Sequence, residues 1–77
     1  MSIIRRAVLK VEIPKSRYRM LEGNKHPEIG DVLELDQAYT GKDGKPMVSV
    51  YHPIPGAKNC EDNYSAEVYE SEIELLK

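Results

Sequence analysis

The chain has neither tryptophan nor phenylalanine, and its one cysteine, Cys60, has no second cysteine with which to form a disulfide. Without the two largest apolar side chains, the core must be built mainly from leucine, isoleucine and valine. A lone cysteine in a small chain is typical of a reducing compartment. The first residues, MSIIRRAVLK, do not resemble a signal peptide, because two arginines interrupt the apolar stretch. We therefore expect a cytoplasmic protein.

Long apolar runs are also missing, and none approaches the roughly 20 residues that a membrane-spanning helix needs. We expect no association with a membrane. Charged residues are 31% and apolar residues 40% of the 77 residues, which is typical of a soluble globular domain. A chain this short buries only about 60% of the surface that its unfolded form exposes, so a deep catalytic cleft is not expected. Residues 1–77 should form a single domain.

Charge is divided unevenly along the chain, although the formal net charge is only −2. Residues 1–26 contain seven basic and two acidic residues, whereas residues 27–77 contain four basic and eleven acidic ones. Such asymmetry is informative about binding partners rather than about the fold.

Alternation of apolar and polar residues predicts five strands. The first, AVLKVEI, ends at Pro14, and a long irregular loop containing Gly23, Pro27 and Gly30 follows it. The other strands lie in the stretches VLELDQAY, MVSVYH, YSAEVY and ESEIELL. The residues expected in the core are Leu9, Val11, Ile13, Leu33, Leu35, Val48, Val50, Ala66, Val68, Ile73 and Leu75. Five short strands usually close into a small barrel, which removes exposed strand edges.

The second and third strands are expected to form a hairpin that turns at Asp43-Gly44, a pair favoured in two-residue type I′ turns. The turn also fixes the register. The predicted pairs are Leu35 with His52, Gln37 with Val50, and Tyr39 with Val48. This register places Lys42 beside Lys45, a repulsion that a longer loop using Gly41 would relieve.

The order of these segments, with GDVLEL after the long loop and a short turn before the last strand, resembles the layout of Src-homology-3-like barrels. The resemblance covers residues 7–76 and implies an all-β, five-stranded SH3-like barrel. It does not imply recognition of proline-rich ligands, because the chain has no tryptophan and Tyr18 is the only aromatic residue of the first loop. Barrels of this kind dock onto proteins or contact RNA, so the fold alone does not decide the function.

Residues that carry catalysis or bind metals are sparse. His26, His52, Cys60 and Asp62 do not have the spacing of a zinc site, and His52 is interpreted as a hydrogen-bonded structural imidazole. Two carboxylates follow Cys60 directly and disfavour a reactive thiolate there. The sequence contains no phosphate-binding loop and no nucleophile motif. We expect no metal, no cofactor and no enzymatic activity.

The basic segment of residues 5–25 is the strongest functional lead. Its candidate binding residues are Arg5, Arg6, Arg17, Tyr18 and Arg19. Arginines can form paired hydrogen bonds with the carboxylates of an acidic protein surface. Arginines around an aromatic ring also suit a nucleic acid, through phosphate contacts and base stacking. The third alternative is ordinary solvated charge.

A second lead lies on the outer face of the hairpin, where Met47 and Tyr51 are expected to be exposed near Ala38. Both residue types are enriched at interface cores, which favours a protein partner or a weak homodimer contact. The alternative is that a loop, such as HPIPG, covers them. We expect a non-catalytic protein-interaction module that docks an acidic or amphipathic partner surface, with a nucleic-acid-binding barrel as the alternative function.

Overall fold

Six antiparallel strands form one sheet in the computed structural model, which describes residues 5–56 and 61–76. The strands are β1 (Arg6–Leu9), β2 (Tyr18–Met20), β3 (Val32–Thr40), β4 (Pro46–Pro53), β5 (Asp62–Tyr69) and β6 (Ile73–Leu75). Their order across the sheet is β2-β5-β4-β3-β1-β6. Two 3-10 turns, Lys15–Arg17 and Glu70–Glu72, directly precede β2 and β6. In the part of the chain described, no helix is long and apolar enough to cross a membrane.

The expected all-β fold is confirmed, but the sheet differs from the expected barrel in two respects. It has six strands rather than five, because Tyr18–Met20, inside the first loop, pairs with residues 64–66 of β5. A three-residue strand is too short to be recognised by its alternation. The sheet is also open, since β2 and β6 lie at its opposite edges and do not pair with each other over the described residues.

The loop of the β3–β4 hairpin is longer than the predicted two-residue turn. The Gly41 N–H donates to the Lys45 carbonyl at 2.8 Å, and the Gly44 N–H donates to the Gly41 carbonyl at 3.0 Å. These bonds define a three-residue loop, in which Gly44 has a φ of 82° and Asp43 does not have a positive φ. The longer loop that uses Gly41 is therefore the one that forms.

The longer loop shifts the register of the hairpin by one residue, so the predicted pairs are wrong. A bulge between Leu35 and Ala38 shifts it again. The observed pairs include Tyr39 with Met47, Ala38 with Val48, Leu35 with Val50, and Glu34 with Tyr51. Val48 and Val50 nevertheless face the core as expected, because the inward and outward alternation of β4 does not depend on its partner.

The core consists largely of the predicted residues. The expected residues that are buried are Leu9, Ile13, Leu33, Val48, Val50, Ala66, Val68 and Ile73. Val11 and Leu35 pack against this core and are partly buried, whereas Leu75 is 50% exposed because it lies on an edge strand. Ala7 is buried too, and so is Tyr64, which shares the inward face of YSAEVY with Ala66 and Val68 but was not among the residues expected in the core.

Tyr64 connects the long first loop to the sheet. Its hydroxyl donates to Asp31 Oδ2 at 2.7 Å, and Lys25 Nζ donates to the same oxygen at 2.8 Å. Burial acts to raise the pKa of Asp31, but the hydrogen bonds outweigh it and hold this pKa below its ordinary value. His52 stacks on the Tyr64 ring, with centroids 5.1 Å apart, and its Nδ1 is 3.0 Å from Asn63 Nδ2. His52 is therefore hydrogen-bonded and stacked on a core residue, which is the environment expected for a structural imidazole.

Candidate functional site

A row of five side chains crosses the outward face of the sheet, the face turned away from the core. In order from β2 to β1, the strand registers place there Arg19, Ser65, Tyr51, Glu34 and Arg6. Directly paired residues of antiparallel strands project from the same side of a sheet, so all five share one side. We call these five residues the cross-strand row. It contains three of the predicted binding residues.

The pairing of β2 with β5 joins the two parts of this row. Arg19 comes from the basic first loop and Tyr51 from the hairpin, and Ser65 lies between them. Neighbouring strands are about 4.8 Å apart, so the backbones at Arg19 and Tyr51 are roughly 10 Å apart. Because serine is short, a single partner side chain can reach both residues.

A shallow groove of about 330 Å³ lies alongside this part of the row. The first loop contributes residues 16–19 to its lining, and β4 and β5 contribute residues 49–51 and 65–67. The basic segment and the hairpin, which form separate leads in the sequence, therefore share one concave surface. Ser16, Ser49 and Ser65 add hydroxyl groups to it.

The two arginines of the row are only weakly neutralised. The Arg6 guanidinium lies 3.9 Å from Glu34 Oε2, at the outer limit of a salt bridge, and its side chain is 58% exposed. Arg19 is exposed and forms no salt bridge with any residue that the structure describes. Both guanidinium groups can form paired hydrogen bonds with carboxylates of another molecule.

Tyr51 is 36% exposed, and so is Tyr39, but their hydroxyl groups differ in their contacts. The Tyr39 hydroxyl donates to Glu67 Oε1 at 2.8 Å, and the Tyr69 hydroxyl donates to Asp43 at the same distance. Over residues 5–56 and 61–76, no hydrogen bond engages the Tyr51 hydroxyl. Tyr51 therefore offers both its ring and its hydroxyl to a partner.

Arg17 is not available in the same way. Its guanidinium forms two hydrogen bonds with Glu72, at 2.7 and 3.0 Å, and lies 5.1 Å from the centroid of the Tyr69 ring. It also donates to the Glu67 carbonyl at 3.3 Å. The hydrogen bonds to Glu72 raise the pKa of Arg17 further. Arg17 thus connects the first 3-10 turn to the second and forms one wall of the groove.

Met47 is only 8% exposed, which contradicts its predicted exposure. It projects from the outward side of β4, where it pairs with Tyr39 on one side and Tyr69 on the other. The start of the hairpin loop covers it, because a side-chain carbon on Gly41 would lie 2.7 Å from the Met47 sulfur. For Met47, the expected alternative in which a loop covers the residue is therefore the correct one. The covering loop is the hairpin loop and not HPIPG.

Tyr18 and Arg5 are not part of the cross-strand row. Tyr18 pairs with Ala66, faces the core side and packs partly against it, and its hydroxyl is 2.7 Å from His26 Nδ1. Successive residues of a strand alternate in direction, so Tyr18 does not share a face with Arg19. Arg5 lies at the first residue that the structure describes and lines a different groove.

Among the described residues, no group of three histidine, cysteine or acidic residues could hold a metal ion. Cys60 lies outside those residues, so the absence of a metal, a cofactor and a catalytic function stays a prediction. The row itself supplies two cations, one carboxylate, two hydroxyl groups and an aromatic ring.

Sequence reasoning missed Ser65 and Glu34 because neither has an unusual sequence context. Ser65 belongs to the row only through its pairing with Arg19 and Tyr51. The alternation of YSAEVY did predict that Ser65 faces outward, and this was the one signal that could have indicated it.

Comparisons with models of protein families, with curated proteins and with solved structures find no match for this chain. A function must therefore be inferred from the residues of the site.

Proposed function

We propose that this protein is a non-catalytic interaction module of the cytoplasm that docks an acidic or amphipathic surface of a partner protein on its cross-strand row. The observation that carries the proposal is the pairing of β2 with β5, which places Arg19 two strands from Tyr51 above a shared groove. Tyrosine and arginine are the residue types that most often supply the binding energy of protein interfaces. An exposed tyrosine between two weakly neutralised arginines fits that composition.

The arginines favour a partner that carries carboxylates. Arg19 and Arg6 lie at the two ends of the row, with Tyr51 between them, so a partner can place an apolar or aromatic group at the centre and carboxylates at the rim. Fully desolvated anchors at the centre contribute most of the affinity, and exposed charges at the rim mainly accelerate association.

The SH3-like assignment of the fold belongs to the same proposal. The short turn Glu70–Glu72 before the last strand and the pairing of β1 with β6 support it. In this interpretation, β2 is an extra strand that forms within the long first loop. This strand completes the row because it carries Arg19. The fold supplies a rigid sheet for the binding residues and does not by itself indicate the partner.

Nucleic acid is the second candidate partner, because Tyr51 offers a ring for base stacking on a sheet face flanked by Arg6 and Arg19. Two observations disfavour it. Glu34 lies within the row, and Glu67 lines the groove beside it, so both carboxylates would repel the continuous line of phosphates of a nucleic acid, whereas a partner protein needs carboxylates only at the two arginines. Tyr18, the other candidate for stacking, points to the opposite side from Arg19.

Affinity capture from a lysate of the protein's own cells tests this proposal. The immobilised protein, with or without nuclease and at two salt concentrations, should retain a discrete protein that survives nuclease treatment. Tyr51→Ala should reduce the retained amount by roughly tenfold, as the loss of an interface anchor does. Arg19→Glu should reduce it as well, and more strongly at the lower salt concentration.

Two matched variants control for nonspecific effects. Lys10→Glu reverses an exposed charge outside the row and should leave capture within about twofold of wild type. Tyr39→Ala removes an equally exposed tyrosine roughly 13 Å further along the sheet, and should also retain capture. Recovery of nucleic acid alone, lost steeply as salt rises, would support the second candidate instead. Equal losses in all four variants would contradict the assignment of binding to the row.

A further inference from the structure

A second groove, of about 510 Å³, lies on the other side of the sheet, where the open sheet leaves the core side accessible. Its floor is apolar and consists of Leu35, Ala38, Val48, Ile73 and Leu75. The volume is within the range of sites that bind ligands or peptide side chains. Half of the Leu75 side chain remains exposed here, which leaves apolar surface uncovered at the groove.

The charges around this groove are mainly negative. Asp36 and Glu70 line it together with one cation, Arg5. Glu74 lines it too, but it pairs with Val8, so its side chain is directed to the outward face. Within the described residues, none of the three carboxylates forms a salt bridge. An uncompensated acidic rim around an apolar floor attracts a ligand that combines an apolar group with positive charge.

The bulge in β3 lies at this groove. The register shifts between Leu35 and Ala38, and both residues line the groove together with Asp36, which lies between them in the sequence. The turn Glu70–Glu72 contributes Glu70, and strand β6 contributes Ile73 and Leu75 to the floor. Two elements that are distant in the sequence therefore place like charges around one apolar floor.

We propose that this groove is a second docking site, which binds a segment of a partner protein carrying an apolar side chain flanked by lysine or arginine. The apolar side chain covers the floor formed by Leu35, Ala38 and Leu75, and the cations lie against Asp36 and Glu70. Carboxylates line this groove, whereas arginines lie at both ends of the cross-strand row, so the two sites bind partner segments of different charge. This proposal is independent of the function assigned to the row.

Two fluorescently labelled synthetic peptides of equal length test the proposal, one alternating leucine with lysine and the other alternating leucine with glutamate. Fluorescence anisotropy should show saturable binding of the leucine–lysine peptide and much weaker binding of the leucine–glutamate peptide. Amide chemical shifts of the ¹⁵N-labelled wild-type protein should change at Leu35, Ala38 and Ile73. This readout needs no variant, so it holds even if a substitution impairs folding.

Charge-reversal variants locate the site further. Asp36→Lys and Glu70→Lys should each weaken binding of the leucine–lysine peptide by roughly three- to tenfold, whereas Glu12→Lys, which reverses an exposed charge elsewhere, should change it less than twofold. Arg19→Glu and Tyr51→Ala should leave peptide binding intact, which separates this groove from the row.

Three results would overturn the proposal. The first is equal weakening by Glu12→Lys and Asp36→Lys, which would mean nonspecific attraction to an acidic protein. The second is a set of shifts that maps outside the groove. The third is concentration-dependent self-association in sedimentation experiments that Asp36→Lys abolishes, because the occupant would then be a second copy of this chain.

Discussion

At the scale of single residues, the ion pair between Arg17 and Glu72 connects the two 3-10 turns. Glu72 also accepts the Tyr69 N–H at 2.8 Å, so three hydrogen bonds converge on its carboxylate. The hydrogen bonds from Arg17 lower the pKa of Glu72, and they outweigh burial, which acts to raise it. A folded-state pKa below the unfolded value means that this contribution to stability is present above the unfolded pKa. It is lost as the pH falls through the folded pKa.

Glu72→Gln should therefore reduce the free energy of unfolding by about 1–2 kcal/mol at pH 7, because it removes the charge from a partly enclosed pair. Urea denaturation of both proteins at several pH values measures this difference, which should shrink as the pH falls below about 4.3, the ordinary pKa of glutamate. Glu70→Gln, an exposed neighbour in the same turn, should change stability by less than about 0.5 kcal/mol. A difference independent of pH would contradict the role of the ion pair.

The hydroxyl of Tyr64 is a second contact whose removal can be measured. Tyr64→Phe keeps the buried ring and removes the donor to Asp31, which should lower the free energy of unfolding by about 1–2 kcal/mol. Tyr18→Phe, which removes a more exposed hydroxyl beside His26, should cost less than about 0.5 kcal/mol. Similar losses in the two variants, measured by urea denaturation, would contradict a role for Tyr64 in holding the first loop.

At the scale of elements, the hairpin illustrates what alternation and turn chemistry can predict. Both strands and the location of the turn were predicted, but the register was not. Asp-Gly favours two consecutive residues with positive φ, whereas only Gly44 adopts it here. Asp43 instead accepts the Lys45 N–H at 3.1 Å and the Tyr69 hydroxyl at 2.8 Å. Tyr69 belongs to another strand, and no local pattern reveals that contact.

Gly44 provides a test of this loop. A side chain at this position would meet no atom within 4 Å, so the cost of a substitution comes from the backbone alone. With a φ of 82°, Gly44→Ala should lower the free energy of unfolding by about 1 kcal/mol, and Gly44→Asn by distinctly less, because asparagine tolerates positive φ. Urea denaturation measures both values. Equal costs for alanine and asparagine would contradict this loop geometry.

Strand β2 is the element that the sequence could not reveal. It has three residues and follows a 3-10 turn, so no alternation distinguishes it from the surrounding loop. It exists because β5 offers it hydrogen-bonding partners, and the backbone N–H of Leu21 continues the contact by donating to the Asn63 carbonyl at 3.0 Å. The other five strands have hydrophobic faces that alternation detects.

At the scale of the whole molecule, the same strand determines how much of the candidate site was predictable. Arg6, Arg19 and Tyr51 were identified as separate leads, because arginine and tyrosine are recognisable as binding residues wherever they occur. Their placement in one row needed the pairing of β2 with β5 and of β3 with β4. Arg17 and Met47 could not be excluded beforehand, since Glu72 and the hairpin loop approach them only in the folded protein.

The uneven charge along the chain also becomes interpretable in the folded molecule. The row on the outward face takes its cations, Arg6 and Arg19, from the basic first part of the chain. The second groove takes its carboxylates, Asp36 and Glu70, from the acidic remainder. The cations of the one surface and the carboxylates of the other therefore come from different parts of the chain.

Binding through the cross-strand row is tested by an amide chemical-shift map of the ¹⁵N-labelled protein, titrated with the protein that affinity capture recovers. We expect the largest changes at Arg19, Ser65 and Tyr51, with smaller changes at Arg6, and the loss of these changes in the Tyr51→Ala variant. Changes confined to the second groove, or an unaltered map in that variant, would contradict binding through the cross-strand row.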